Sequence, residues 1–473
     1  SSSINILTDA DFTNSYLYFI NNSLKYKVLN KNSISVMSNS YTGDIVIPSS
    51  VSKGNTFSVV KVEASAFYAC SGLTSVVIPD SVKTIDSLAF YSCSGLKSLT
   101  IGKTETISSN AFNYTTNIET LSYNNDLMGS LITSIKTKLK NVTVGDSVTM
   151  SKETFKSYTQ LITATVYAAT VSESAFNGCT ALTTVTLGDG VKKIDTNAFR
   201  GCSYLTTITV GNGIEEIVGA AFANCSRISY NTYDNAYYIG NGTNQYLVLM
   251  KAKNTSITTV DISTGCRILY YGSLANCSRL TTVNIPQSVK GIGVNAFYGS
   301  NAINKANFAS IEALCDINFG DSFANPMRPS GSLYINDTLV TSLTIPSTVT
   351  ELKDYTFYNC DSITSVTIPA TVEAVGNQTF KNSSNITSVT VNSTADLDKA
   401  YLCFTDGNND MYKVVGTNTV VLTPSNKTYS GDFVLSASVT AGTTFSVIGF
   451  DDSMFSGNTT LTSVAMHSGT LRI

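Results

Sequence analysis

Residues 73–93 read LTSVVIPDSVKTIDSLAFYSC, and this stretch decides the fold. Leu73, Val76 and Ile78 stand at L-x-x-L-x-L spacing. The alternating, Ser/Thr/Val-rich run they share reads as a short strand. Pro79 removes a backbone donor and ends it. Val82 and Ile85 point back inward on the far side. Ala89-Phe90-x-x-Cys93 has helical spacing over a single turn, which predicts a short 3₁₀ or α turn. One such unit cannot enclose its own apolar side chains; stacked units bury them as continuous columns.

Outward from that stretch, the small-residue–Phe pair recurs every 23 positions. Ala66-Phe67 precedes Ala89-Phe90, and Ala175-Phe176, Ala198-Phe199 and Ala221-Phe222 keep the spacing. So do Ser273-Leu274 with Ala296-Phe297, and Thr356-Phe357 with Thr379-Phe380. The units fall near 62–84, 85–106, 107–124, 139–170, 171–193, 194–216, 217–232, 257–291, 292–310, 339–375 and 376–391. Seven of the ten cysteines (70, 93, 179, 202, 225, 277 and 360) lie three residues after the Phe slot. Elsewhere that slot holds Thr115, Tyr158, Ser300, Ser383 or Asn458. Sulfur is therefore dispensable there, and the cysteines read as reduced core thiols filling a small apolar space. There is no C-x-x-C pair and a single His, His467, so neither a metal site nor a His-based nucleophilic triad is expected.

Around the repeats, residues 1–60 read as a polar tail or capping segment over 1–23 followed by a β module from about Leu24 to Val60. The module contains Tyr41-Thr-Gly43-Asp44 and Phe57-Ser-Val59. It returns within 411–473 as Tyr429-Ser-Gly431-Asp432 and Phe445-Ser-Val447, 388 positions later. The repeat array is expected over 61–391, with β-hairpin insertions at 233–256 and 311–338. Gly240-Asn241-Gly242 is the turn signal of the first insertion, and Asn325-Pro326 that of the second. Residues 392–410 read as a boundary between two arrays. The last unit breaks off at Ile473, and a longer natural chain is expected.

The recurring unit I-x-x-x-A-F-x-x-C-x-x-L-T-S-V-x-I-P-x-S-V resembles the BspA-like leucine-rich repeat family of microbial cell-surface proteins. The matching stretches are LTSVVIPDSVKTIDSLAFYSC, LTTVNIPQSVKGIGVNAF and ITSVTIPATVEAVGNQTF. The resemblance implies a mostly β fold: a single elongated, right-handed solenoid of roughly 23-residue units with a parallel sheet. It also implies an extracellular or cell-surface location, and adhesion to surface or matrix proteins of a host or neighbouring cell.

Chemistry-bearing patterns are sparse. The 473 residues are 42% hydrophobic and 13% charged with net charge −3, and no Lys/Arg cluster points to nucleic acid. No apolar run approaches the length of a membrane span, and no phosphate-binding loop motif occurs. The expectation is a binding protein without catalytic activity or cofactor, with a passive spacer and a glycan binder as alternatives. Two sets of residues are candidates for contact. One is the outward row of the strands, represented by Thr184, Thr186, Thr207, Thr209, Thr282 and Asn284. The other is the Tyr-dense stretch Tyr230, Tyr233, Tyr237, Tyr238 and Tyr246, because Tyr gives contact area at low entropic cost.

Overall fold

The coil around Phe199 shows how one repeat is made. Strand Thr184–Leu187 turns Val185 and Leu187 inward and leaves Thr184 and Thr186 on the outer face. Strand Thr207–Val210 lies parallel to it in strict register, Thr184 opposite Thr207 and Val185 opposite Ile208. On the far side the two-residue strands Lys193–Ile194 and Glu216–Ile217 pair in the same sense. The expected solenoid of parallel coils is thus present, and this coil is short because its two strands carry only two and one inward residues.

The Ala-Phe segment differs from the expected helical turn. Ala198 and Cys202 amides donate to Asp195 and Phe199 carbonyls at 3.1 and 3.2 Å. Between them, however, Asn197 and Gly201 take φ of +57° and +74°. Left-handed residues stop a helix from propagating, and Asn and Gly tolerate that region best. The alternation turns every second amide toward the next coil: Ser174, Phe176 and Gly178 donate to Thr196, Ala198 and Arg200 at 3.0, 2.7 and 2.8 Å. The turn is therefore a third inter-coil ladder.

Behind it the Phe rings form a column. Phe155, Phe176, Phe199 and Phe222 stack with centroids 5.2–5.3 Å apart and ring planes within 13°. Phe67, Phe90 and Phe112 make a second stretch, and Phe357 with Phe380 a third.

The slot three residues after Phe wants more than a small apolar group. The thiols of Cys93, Cys179, Cys202 and Cys225 donate to the carbonyls of Phe67, Phe155, Phe176 and Phe199 in the preceding coil, at 3.0–3.2 Å. Where Cys is replaced, a hydroxyl does the same. Thr115 donates to Phe90 at 2.5 Å, Ser300 to Leu274 at 2.6 Å and Ser383 to Phe357 at 2.9 Å. Tyr158 reaches Ile132 and Asn458 reaches Tyr429 in the same manner. A buried carbonyl without a donor is costly, so in these coils the slot is held by a side chain that can donate, small in most of them and Tyr158 or Asn458 in two. All ten cysteines are free. Burial pushes the Cys93, Cys179 and Cys360 thiols up to about 12, which keeps them protonated and able to donate.

The computed structural model describes residues 3–472 and divides into two compact units, Ser1–Ser229 and Tyr230–Ile473. In the first, eight parallel strands form one sheet, from Gly43–Val46 through Leu73–Ile78, Ser98–Ile101, Thr120–Tyr123, Asn141–Val144, Thr163–Val166 and Thr184–Leu187 to Thr207–Val210. Asn141–Val144 corrects the reading of 139–170 as one unit. It supplies a separate coil, whose approach runs through the helix Gly129–Ser134 in place of an Ala-Phe turn.

The second unit is less regular. Strands Asn231–Tyr233, Ala236–Ile239 and Val248–Ala252 form an antiparallel meander. The last of them runs parallel to Ile268–Leu269, so the segment 233–256 is woven into the solenoid. The segment 311–338 is mostly another coil. Helix Ile311–Cys315 leads to Asn318–Phe319, which extends one ladder, and Leu333–Ile335 extends the other. A tight hairpin from Leu333–Ile335 to Thr338–Leu339 then closes that sheet, and Ser342–Thr344, Ser365–Ile368 and Ser388–Val391 form a new one.

The duplicated module appears as two sheets of the same plan. Tyr18–Asn21, Leu24–Asn30 and Ser33–Val36 precede the hairpin Ser50–Lys53/Asn55–Val62. Cys403–Thr405, Met411–Gly416 and Thr419–Leu422 precede Ser438–Ala441/Thr443–Phe450. Strand Tyr18–Asn21 thus lies within the stretch read as a tail, and Cys403–Thr405 within the stretch read as a boundary. Asp44 accepts from Thr74 and Ser75 at 2.7 and 2.6 Å, and Asp432 from Thr462 and Ser463 at 2.7 Å each.

Candidate functional site

The outer face of the first unit's sheet is a ladder of small polar side chains, because period-2 alternation sends every second strand residue outward. Register places Thr163, Thr184 and Thr207 in one row and Thr165, Thr186 and Thr209 in the next. Thr207 is exposed, while Thr184, Thr186 and Thr209 are half-buried between neighbouring rungs. Asn141 bonds across the row, donating to Thr120 at 3.3 Å and accepting from Thr163 at 2.8 Å.

In the second unit Thr282 and Asn284 occupy the equivalent outward positions of a separate five-stranded sheet. Asn284 lies in a chain of amides and carboxylates: it donates to Asp261 at 2.5 Å and accepts from Asn307 at 2.9 Å. Much of that row's hydrogen-bonding capacity is used rung to rung.

The Tyr-dense stretch separates into two groups. Tyr230 and Tyr237 stand 5.7 Å apart, and the Lys251 ammonium sits 4.7 and 5.7 Å from their ring centroids. Tyr233, Tyr238 and Tyr246 form an edge-on cluster at 5.4–6.4 Å. Tyr238 is completely buried. It points inward from strand Ala236–Ile239, and its hydroxyl accepts from Ser263 N–H at 3.4 Å. As a core residue it offers no surface to a ligand. Tyr230, Tyr237 and Tyr246 are half-buried, and Tyr233, 39% exposed, is the most accessible of the five.

A row of tyrosines on the first unit is more accessible at its two ends, Tyr68 and Tyr114, with Tyr91 half-buried between them. Tyr68 and Tyr91 each follow the Phe of their coil, and Tyr114 stands two residues after Phe112. Tyr68 and Tyr91 stack in parallel at 5.2 Å, and Tyr114 turns edge-on to Tyr91 at 5.1 Å. Tyr68 is 50% exposed and Tyr114 68%. Beside Tyr114 lies a shallow recess of about 90 Å³ formed with Ser109, Leu127, Ser130 and Ser134. The pairs Phe67-Tyr68 and Phe90-Tyr91 carry the signal in the sequence, since the residue next to an inward Phe points outward. Further along, Tyr204 is exposed beneath the Arg227 guanidinium, 4.1 Å from its ring centroid.

Carboxylates on the solenoid are bracketed by lysines one coil away. Glu119 lies between Lys97 and Lys140, and Asp316 between Lys290 and Lys353. Hydrogen bonds from Lys140 and Lys97 hold Glu119 below the usual carboxylate range. His467 lies within hydrogen-bonding distance of Val447 O, 2.7 Å from Nε2, and accepts from Gly469 N–H at Nδ1. Among the described residues no helix is long and apolar enough to cross a membrane.

These coils belong to the family described as BspA type leucine rich repeat region, which matches in six copies over residues 35–162, 133–249, 252–324 and 331–409. No curated protein matches the chain. Among solved structures, it is similar to a leucine rich cell surface protein from Faecalibacterium prausnitzii A2-165. That protein is 22% identical with a TM-score of 0.27, over 80% of this chain and 96% of that one. A leucine-rich repeat protein from Bacteroides ovatus is 19% identical with a TM-score of 0.26, over 78% and 94%. An internalin from Listeria monocytogenes is 14% identical with a TM-score of 0.33, over 75% and 86%.

Proposed function

We propose that this protein is a non-catalytic, cell-surface adhesion protein that binds other proteins through its exposed tyrosines. The observation that carries the reading is the row Tyr68, Tyr91 and Tyr114, an aromatic strip on a surface otherwise rich in small polar groups. Interface energy concentrates in residues such as Tyr, and small hydroxyl side chains contribute little. Stacking holds the rings in place, so contact orders little that is not already ordered. Tyr233 and the Tyr230/Tyr237 pair around Lys251 add a second contact candidate on the other unit. The natural partners are surface or matrix proteins of another cell.

A glycan reading draws on the same strip, because the Tyr114 ring is turned and strongly exposed beside the hydroxyls of Ser109, Ser130 and Ser134. Binding of the intact chain to a panel of matrix proteins and to a glycan array separates the two. The expected result is protein binding that falls at least about tenfold in a Tyr68→Ser/Tyr91→Ser/Tyr114→Ser variant, with an unchanged melting temperature. Binding confined to glycans transfers the strip to sugars. Binding to neither leaves the chain as a spacer.

A further inference from the structure

Two cations on the turn side of the second unit stand on aromatic rings instead of facing carboxylates. The Arg328 guanidinium lies 4.0 Å from the Phe323 ring centroid, and the Lys381 ammonium lies 5.1 Å from that of Tyr401. Among the described residues neither comes within ion-pairing distance of an acidic group, whereas Lys290 and Lys353 of the same unit bracket Asp316. Aromatic faces hold a cation without neutralising it. Carboxylates of this region are already occupied. Asp398 and Asp451 are taken by Lys413 at 2.8 and 2.7 Å, and Asp361 accepts from the Ser384 amide and hydroxyl at 2.8 Å each.

Each free cation borders a recess. Arg328, Asn301, Tyr358 and Asn382 line a polar one of about 270 Å³. The Asn382 side chain donates to the Tyr358 hydroxyl oxygen at 3.0 Å, which leaves the Tyr358 O–H free to donate. A guanidinium fork with a phenol and amides beside it matches a carboxylate. Lys381, Tyr401, Phe404, Met411 and Pro424 line the second recess, of about 300 Å³ and mostly apolar. Cys403 adds no charge there, because burial pushes its thiol up to about 12. Asn382 belongs to both linings, so the two recesses adjoin.

The backbone adds a donor at the same place. In the turn ladder Phe357 and Asn359 donate to Thr379 and Lys381 of the next coil, and Phe380 to Ala400, all at 2.8 Å. Asn382 is next in that series. It is exposed, with φ of +66°, and its N–H has no acceptor among the described residues. The ladder stops where the chain passes from the coil into the second module.

We propose that these adjoining recesses bind an extended protein segment that carries an acidic side chain close to a bulky apolar one, with the carboxylate on Arg328 and the apolar group beside Tyr401. The charge complements two cations that lack an anion, and the apolar recess takes the anchor that a peptide supplies. The Asn382 N–H is placed to take a carbonyl of the segment. A sugar fits less well, because its hydroxyls would lose their hydrogen bonds against Phe404 and Met411. The site is separate from the tyrosine strip of the first unit and does not depend on it.

Selection of a phage-displayed random octapeptide library on the intact chain tests this. The expected result is enrichment of peptides that place Asp or Glu near an aromatic residue or Leu. Affinity of the selected peptide is expected to fall at least about tenfold in Lys381→Gln, in Arg328→Gln, and in Thr405→Trp, which fills the apolar recess. Melting temperatures of the variants are expected to match the parent; where Arg328→Gln loses stability along with its ring contact, Lys381→Gln decides. The Tyr68→Ser/Tyr91→Ser/Tyr114→Ser variant is expected to bind the peptide as the parent does. Selection without the acidic–apolar pattern, binding that survives Lys381→Gln or Thr405→Trp, or binding lost in the tyrosine variant overturns the proposal. So does a polygalacturonate oligosaccharide that binds more tightly than the selected peptide and weakens in the same variants, which assigns the recesses to acidic sugars.

Discussion

The coils between Phe155 and Cys225 and the stretch from Asn231 to Thr344 are built from the same repeat but obey it to different degrees. In the first, four Phe rings stack nearly parallel, and three consecutive thiols each satisfy the Phe carbonyl of the coil before. In the second, Leu274 and Ala324 stand at Phe positions on either side of Phe297, a meander of three strands enters at Asn231–Ala252, and a helix lengthens one coil. Both bury continuous cores, so the solenoid does not need every rung. What it needs is an inward apolar residue and a donor for each buried turn carbonyl. Interruptions are tolerated where those two conditions are met by other means, as Ser300 does for Leu274.

The contrast should break first at the rings. Phe199→Ala leaves a cavity between two stacked neighbours and is expected to cost about 3–5 kcal/mol in denaturant unfolding. Thr209→Ala on the outer face is expected to stay within about 0.5 kcal/mol. Equal midpoints for the two would mean the ring column does not hold the array.

Glycines sharpen it next. Gly201→Val forces a β-branched residue into a left-handed position, at an expected cost of about 1–3 kcal/mol. Gly242→Val sits in the loop of the interrupted stretch with open space around its Cβ, and thermal melts should place it within about 0.5 kcal/mol of the parent.

The smallest effect is electrostatic. Burial works against the Asp316 charge, but the hydrogen bond from Lys290 and the charges of Lys290 and Lys353 outweigh it and hold the carboxyl below its ordinary 3.8. A depressed folded-state value means the bracket stabilises fully above pH 3.8 and fades as pH falls through the lowered value. An NMR titration of the Asp316 carboxyl is expected to show a midpoint below 3.8, with amides of Ile311–Cys315 losing protection over the same window. A midpoint at or above 3.8 removes the bracket from the account.

The solenoid was legible because its signal is periodic: a strand of two inward residues and a Phe recurring at 23 positions leave few alternatives. The coil at Asn141–Val144 was not, since its approach replaces Ala-Phe with a helix and the period slips to 21 or 22 residues between Thr120, Asn141 and Thr163. The coil within 311–338 was hidden in the same way, by a helix that postpones the next strand. Of the candidate contact residues, the threonine rows follow directly from alternation. Tyr238 did not, because whether a Tyr in a meander faces in or out depends on a register set by partners far along the chain. The donor role of the cysteine slot was visible in its substitution pattern, since Thr, Ser, Tyr and Asn all carry donors, but the acceptor lies 24 to 26 positions back in the preceding coil and only stacking reveals it.

That slot offers the most direct test of how the coils are joined. Cys202→Ser keeps a donor to the Phe176 carbonyl, 3.2 Å from the thiol, and Cys202→Val keeps apolar volume but leaves the carbonyl orphaned. Thermal and urea unfolding of the two variants is predicted to leave Ser the more stable, by about 1–3 kcal/mol. If Val equals or exceeds Ser, the slot is a volume filler and the coils are joined by packing alone.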